Sequence, residues 1–201
     1  MNQKIQGSIS DILKTRNQRD DVPLVHQHIG DLQLPTGQLV ACDPLLVTAR
    51  RKPFSLQLPC GNFPVFVSVE SIEEFKFTRH AIIQFSDGPP VRWEMMTVRG
   101  QDLEEPSAGQ YFGYPVDTGT GCFFDFSMTR AAEPKSHFWK TIRASLAAKM
   151  ESPQFNLLNG FNVQASTTNL IAFQSGFGDG VYGTFAGFDA DGRVCAVVTD
   201  F

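Results

Sequence analysis

The sequence predicts an α+β domain rich in strands: a largely antiparallel sheet with one main helix over about residues 134–150 and a short N-terminal helix. Three observations lead there. Apolar residues alternate with period two in several separate runs, the pattern of half-buried strands. Those runs follow one another through Gly-, Pro- and Asp-rich breaks rather than long helical crossovers, which favours antiparallel neighbours. Only one segment keeps a four-residue apolar period, with Phe138, Ile142 and Leu146 on one stripe.

Residues 1–34 read as an extension ahead of a single domain at 35–201. SISDILKTRNQ suits a short helix capped by Ser8 or Ser10, with Ile9, Ile12 and Leu13 on one face. RDDVPLVHQHIGDLQLPTG reads as loop. QLVAC is an apolar run that Asp43-Pro44 should end, because proline lacks a donor and holds the residue before it extended. In VFVSVE, Val65, Val67 and Val69 share one face. KFTRHAIIQF and VRWEMMTV, joined by SDGPP, are expected to pair as a hairpin. YFGYPV and GCFFDF flank the loop DTGT, Pro134 suits the first turn of the main helix, and SPQFNLLNG closes it. NLIAFQS, VYGTFAGF and RVCAVVTDF read as strands again, with FDADGR as a tight hairpin turn between the last two.

Apolar residues make up 42% of the 201-residue chain, 18 of them Phe, enough for a substantial core. The net charge of −4 speaks against a general nucleic-acid binder, whose affinity comes from Lys and Arg neutralising phosphates, while leaving room for a local basic patch. Cys42, Cys60, Cys122 and Cys195 lie too far apart for a Cys-x-x-Cys zinc signature. The N-terminal stretch lacks the apolar core of a signal peptide, and no window approaches the ~18 apolar residues of a membrane helix. The expectation is a cytoplasmic protein with reduced thiols, no nucleic-acid partner and no membrane.

Two glycine-rich stretches carry the candidate chemistry. In VDTGTGC (116–122), Gly119 and Gly121 let backbone N–H groups converge on an anion, and Thr118 and Thr120 add hydroxyls. The spacing is not that of a P-loop. It resembles the Asp-x-Gly-Thr phosphate hairpin of actin-like kinases, a two-domain fold that 201 residues do not fill; the plain alternative is a β-turn. In SGFGDGVY (175–182) the glycines imply positive φ or a close approach. Asp179 among them is placed to ligate a metal, to act as a base, or to accept its own loop's amides. FDADGR lacks the further oxygen ligand and the Glu of a calcium loop, so a turn is favoured. His26 and His28 share one side of any strand but have no third ligand near in sequence. A Cys122–His137 nucleophile pair needs a proximity that spacing alone does not establish.

ACDPL (41–45), GYPVDTGTGCFFD (113–125) and SGFGDGVYGTFAGFDADGRVCAVVTDF (175–201), with PCGNFPVFVSV and VRWEM, resemble in order and spacing a mainly bacterial family catalogued as domain of unknown function 4241, over roughly residues 37–201. The resemblance implies a small single-domain protein and supplies no activity. It also implies that Asp43, Asp117, Gly119, Gly121, Ser175, Gly176, Asp179 and Gly180 belong to one pattern. Polar and glycine residues at strand exits suit a site better than a core.

The expected site is a pocket where the Asp43, DTGTG and SGFGDG loops meet, holding a polar or phosphorylated small molecule. Asp43, Asp117 and Asp179 are the candidate catalytic carboxylates, with hydrolysis the first reaction to consider. Thr118, Gly119, Thr120, Gly121, Ser175, Gly176 and Gly180 are the candidate ligand-binding residues. No cofactor is identified; a divalent metal is compatible with this set and required by no spacing. The alternative is a non-enzymatic protein that neutralises a protein partner, as immunity proteins do, or sequesters a ligand, through a surface patch.

Overall fold

The structure, a computed structural model, describes residues 24–47, 51–72, 74–102, 111–130, 137–151, 160–165 and 168–201. Its strands are β1 (Val25–Leu34), β2 (Leu39–Cys42), β3 (Gly61–Ile72), β4 (Phe75–Gln84), β5 (Arg92–Met95), β6 (Tyr114–Val116), β7 (Thr120–Asp125), β8 (Gly160–Ala165), β9 (Thr168–Gln174), β10 (Gly180–Phe188) and β11 (Val194–Asp200). Two short helices, α1 (Ser127–Arg130) and α2 (His137–Met150), join them, with a 3-10 turn at Pro44–Leu46. The larger sheet runs β1-β3-β4-β11-β10-β5, with β6 also paired to β10; the smaller runs β2-β7-β9-β8. Every pairing among these strands is antiparallel.

The sheets stack face to face. Leu32, Val65, Val67, Ile83 and Val197 of the larger sheet pack with Phe123, Ile171 and Phe173 of the smaller one in one buried cluster. The other face of the smaller sheet forms a second cluster, in which Val40, Cys122, Phe124 and Leu170 meet Met128 of α1 and Leu146 of α2. The smaller sheet is thus covered on both sides. Double burial explains why β7, TGCFFD, is buried at all six positions and shows no alternation. Two buried polar side chains fix its surroundings. Asp125 accepts from Thr36 N and Oγ1 and from Ser127 N, which ties the β1–β2 link to the start of α1. Asn169 accepts from Gln33 N and donates to Asp31 O, which ties the sheets together.

Among the described residues strands far outnumber helices. The class is therefore β-rich and antiparallel in two layers, and α2 is a minor cover rather than one half of an α+β architecture. The expected N-terminal helix lies outside the described residues, as do residues 134–136 at the expected start of the main helix.

Two local expectations are corrected. β4 and β5 do not form a hairpin: β11 and β10 lie between them, β4 pairing with β11 and β5 with β10. Pro89 and Pro90 remove two consecutive donors from the connection, and the backbone after β4 turns instead onto β11, with Phe85 N and Ser86 N both reaching Cys195 O. Residues 25–34, read as loop, form β1. A bulge between His28 and Gly30, with Gly30 at φ 145°, shifts the phase of the alternation and hides the strand in the sequence.

Candidate functional site

The three loops singled out in the sequence are joined by hydrogen bonds. Asp43 ends β2 and is fully buried. Its Oδ1 accepts from Leu45 N at 2.9 Å, and its Oδ2 accepts from Asp117 N at 3.0 Å and Thr118 Oγ1 at 2.8 Å. Asp179 Oδ1 accepts from Gly119 N at 3.0 Å, and Gly119 O accepts from Ser175 N at 3.1 Å. Thr120 Oγ1 donates to Thr118 O at 3.2 Å. Ser175 Oγ and Tyr182 OH both donate to Gly178 O, at 2.8 and 2.7 Å.

In this network the amides that would face an anion are already met by the chain's own carboxylates. Asp43 occupies Asp117 N and Thr118 Oγ1, and Asp179 occupies Gly119 N. The glycines have separate tasks. Gly119 sits at φ 61°, where other residues are strained. Gly121 lies inside β7, and a Cβ there would stand 2.6 Å from Phe173 and 2.9 Å from the Tyr114 hydroxyl. A Cβ on Gly176 would meet Phe201, and one on Gly180 would meet Tyr182. Asp117 is exposed, and its carboxylate makes no hydrogen bond among the described residues. The described residues hold no group of three or more His, Cys, Asp or Glu arranged for a metal ion.

Beside this network opens a cleft of about 240 Å³, whose lining includes Ala41, Phe54, Tyr114 and Tyr182, with Arg51 and Lys52 among its walls. Three wall residues continue directly into the loop network. Ala41 lies two residues before Asp43, Pro115 two before Asp117, and Tyr182 holds Gly178 O. The hydrogen-bonded loops therefore adjoin the cleft, although none of the three aspartates lines it. Lys52 Nζ donates to Arg99 O at 3.1 Å and Arg51 Nη2 to Leu46 O at 3.4 Å. Neither cation meets a carboxylate among the described residues. Burial holds the Tyr114 phenol well above its ordinary value; nearby Thr199 offsets part of that rise. Burial raises Tyr182 to a lesser degree.

The family model described as Protein of unknown function (DUF4241) matches residues 32–199, most of the chain and every loop just described. The chain belongs to the DUF4241 family. No curated protein and no solved structure matches it.

In this DUF4241 chain Cys42, Cys122, His26 and His28 have structural partners. Cys42 and Cys122 face each other across β2 and β7 with sulfurs 3.9 Å apart, and Cys122 Sγ lies 3.2 Å from Cys42 O. Burial, reinforced by Cys42, pushes the Cys122 thiol well up, the opposite of an activated nucleophile. The side chain of His137 is outside what is described. His28 pairs with Asp31 at 2.9 Å and His26 Nδ1 with Ser68 Oγ at 3.0 Å. Burial, with the neighbouring His80, lowers His26. Sequence reasoning missed Arg51 and Lys52. The signal was present: three consecutive cations, Arg50, Arg51 and Lys52, directly before a proline in a chain of net charge −4.

No helix among the described residues is long and apolar enough to cross a membrane.

Proposed function

We propose that the protein binds a small anionic molecule in the cleft, phosphorylated or carboxylated, and that the Asp/Gly loops hold the cleft in shape. One observation carries this reading: two cations that meet no carboxylate among the described residues stand on a concave wall whose described lining contains no Asp or Glu. A cation left uncompensated beside apolar surface attracts an anion more strongly than the same group in bulk water, because the local dielectric is lower. The reading keeps the expected ligand class and moves it from the three aspartates to a site one layer of hydrogen bonds away.

Hydrolysis at the aspartates is the weaker version. Asp43 and Asp179 already accept backbone donors, which leaves Asp117 alone as a base or nucleophile, without a second group to orient it. The protein-binding alternative has one observation in its favour. Phe75 and Phe177 are 59% and 70% exposed, and Phe77 stacks against Phe177 at 4.7 Å between centroids, an unusual amount of open aromatic surface.

Thermal unfolding in the presence of inorganic phosphate, phenyl phosphate and ribose 5-phosphate tests the proposal. A bound anion at 100 times its dissociation constant adds about 2.7 kcal/mol. The expected result is stabilisation by at least one of these, lost in the Arg51→Ala/Lys52→Ala double variant. Equal stabilisation of the double variant places the anion elsewhere and sinks the reading, as does the absence of any shift.

A further inference from the structure

The polar groups around the cleft divide into those the fold already uses and those it leaves open. Tyr182 OH donates to Gly178 O at 2.7 Å, the Thr184 hydroxyl pairs with that of Thr199 at 2.9 Å, and Gln101 Oε1 accepts from Val98 N at 2.9 Å. No Asp, Glu or Asn is among the described lining residues, so the described walls offer few side-chain acceptors. What remains for a ligand among the described residues is the Arg51 and Lys52 charge at one side, the Gln101 amide NH2, the buried Tyr114 hydroxyl, which has no hydrogen-bond partner, and the apolar faces of Phe54, Met96, Val98 and Phe112.

We infer, building on the anion-binding reading above, that the cleft selects an anion carried on an apolar or aromatic body, an aryl phosphate or aryl carboxylate, over a sugar phosphate. Two physical arguments lead to this. A hydroxylated body would bring several donors against largely apolar walls where, of the described side chains, only the Tyr114 hydroxyl stands open to take one, and each unmet group weakens binding by about tenfold or more. A site built without partners for hydroxyls discriminates by leaving them unpaired. The cavity of about 240 Å³ also lies below the range of about 300–1,000 Å³ usual for drug-sized ligands, so one ring and its acid group fill it and a nucleotide does not. The cations fix the acid group, and the aromatic walls fix the ring, through stacking and area burial. An aryl amine is excluded by the same two charges.

Titration calorimetry on the full chain reads the inference directly, with phenyl phosphate, phenylacetate, ribose 5-phosphate, inorganic phosphate and benzylamine as probes. Phenyl phosphate is expected to bind at least tenfold tighter than ribose 5-phosphate or inorganic phosphate, and benzylamine not at all. Phe112→Ala should weaken phenyl phosphate at least fivefold and leave inorganic phosphate unchanged, whereas Lys52→Ala should weaken every anion. Both positions are partly open to solvent, and circular dichroism of each variant confirms that it is folded. Ribose 5-phosphate binding as tightly as phenyl phosphate, with both lost in Lys52→Ala, overturns this inference and leaves the anion-binding reading standing. If no anion binds at all, the reading beneath it fails.

Discussion

Asp43 differs from the other two candidate aspartates in what surrounds it. Its carboxylate is fully buried and accepts three donors from two separate segments, the 3-10 turn after β2 and the DTGTG loop. Removing it leaves two amides and a hydroxyl, all part-buried, without their acceptor, and each costs free energy when unmet. Asp43→Ala should therefore lower stability by about 3 kcal/mol or more, a fall in Tm of about 6–12 °C for a chain of this size. Asp43→Asn should recover only part of this, because its amide group turns a donor towards donors. Asp179 is exposed and accepts one amide, so Asp179→Ala should cost about 1 kcal/mol. Asp117→Asn should stay within about 0.5 kcal/mol of the parent. Urea denaturation of the three variants checks the ranking. A destabilisation of Asp117→Asn equal to that of Asp43→Ala would show that the loop network is held by other contacts than those described. At this scale the sequence was informative about which residues meet, since glycines and aspartates at strand exits do converge. It was silent on their occupation. No spacing reveals that Asp43 faces an amide and a hydroxyl from a segment more than seventy positions away.

The elements show where local pattern stops being enough. Val65, Val67 and Val69 alternate in the sequence and are buried together, because β3 has one face on the main core. The FDADGR turn is equally local: Asp189 Oδ1 takes the amides of Asp191 and Arg193, and Gly192 supplies φ 77°. β7 was legible only as an apolar run, since burial on two faces leaves no alternation to read. The second partner of β4 and the partner of β5 lie about a hundred residues further on, and no window containing SDGPP records them. The second layer of cover, α2 on the smaller sheet, depends on a few side chains. Leu146 is fully buried in the cluster it shares with Val40, Phe124 and Leu170. Leu146→Ala should cost about 2–5 kcal/mol, transfer and cavity terms together. The cleft lies on different elements, so the variant should keep the parent's affinity for phenyl phosphate at temperatures where it is folded. Calorimetry and thermal unfolding on the same sample separate the two effects. Loss of affinity in the folded variant would mean that the helix layer and the cleft move together.

At the scale of the molecule, the most consequential strand is the one nearest the C-terminus. β11 lies between β4 and β10, and its residues serve both faces of the larger sheet: Val197 joins the main core, Val198 packs with Ile82 in the outer cluster, and Cys195 is buried. Beyond it, Phe201 stacks on Phe173 and Tyr182, and so touches both the smaller sheet and a wall of the cleft. A central strand differs from an edge strand in kind. Removing it leaves β4 and β10 each with a row of unpaired backbone groups, opens the main core and detaches β10, which alone carries β5 and β6. The larger sheet therefore cannot form in stages from its other six strands. It must wait for β11, and the long-range pairings place folding in the slow, millisecond-to-second regime of β-sandwiches. Truncation after Arg193 should abolish the cooperative unfolding transition, and Val197→Asp should do the same by burying an unpaired charge at the centre of the core. Asp191→Ala, in the exposed turn of the same hairpin, should keep the transition, which separates loss of the strand from damage to the hairpin. A truncated chain that still unfolds cooperatively, with a native near-ultraviolet spectrum, would mean that β4 and β10 can pair directly, and the strand order argued here would have to be redrawn.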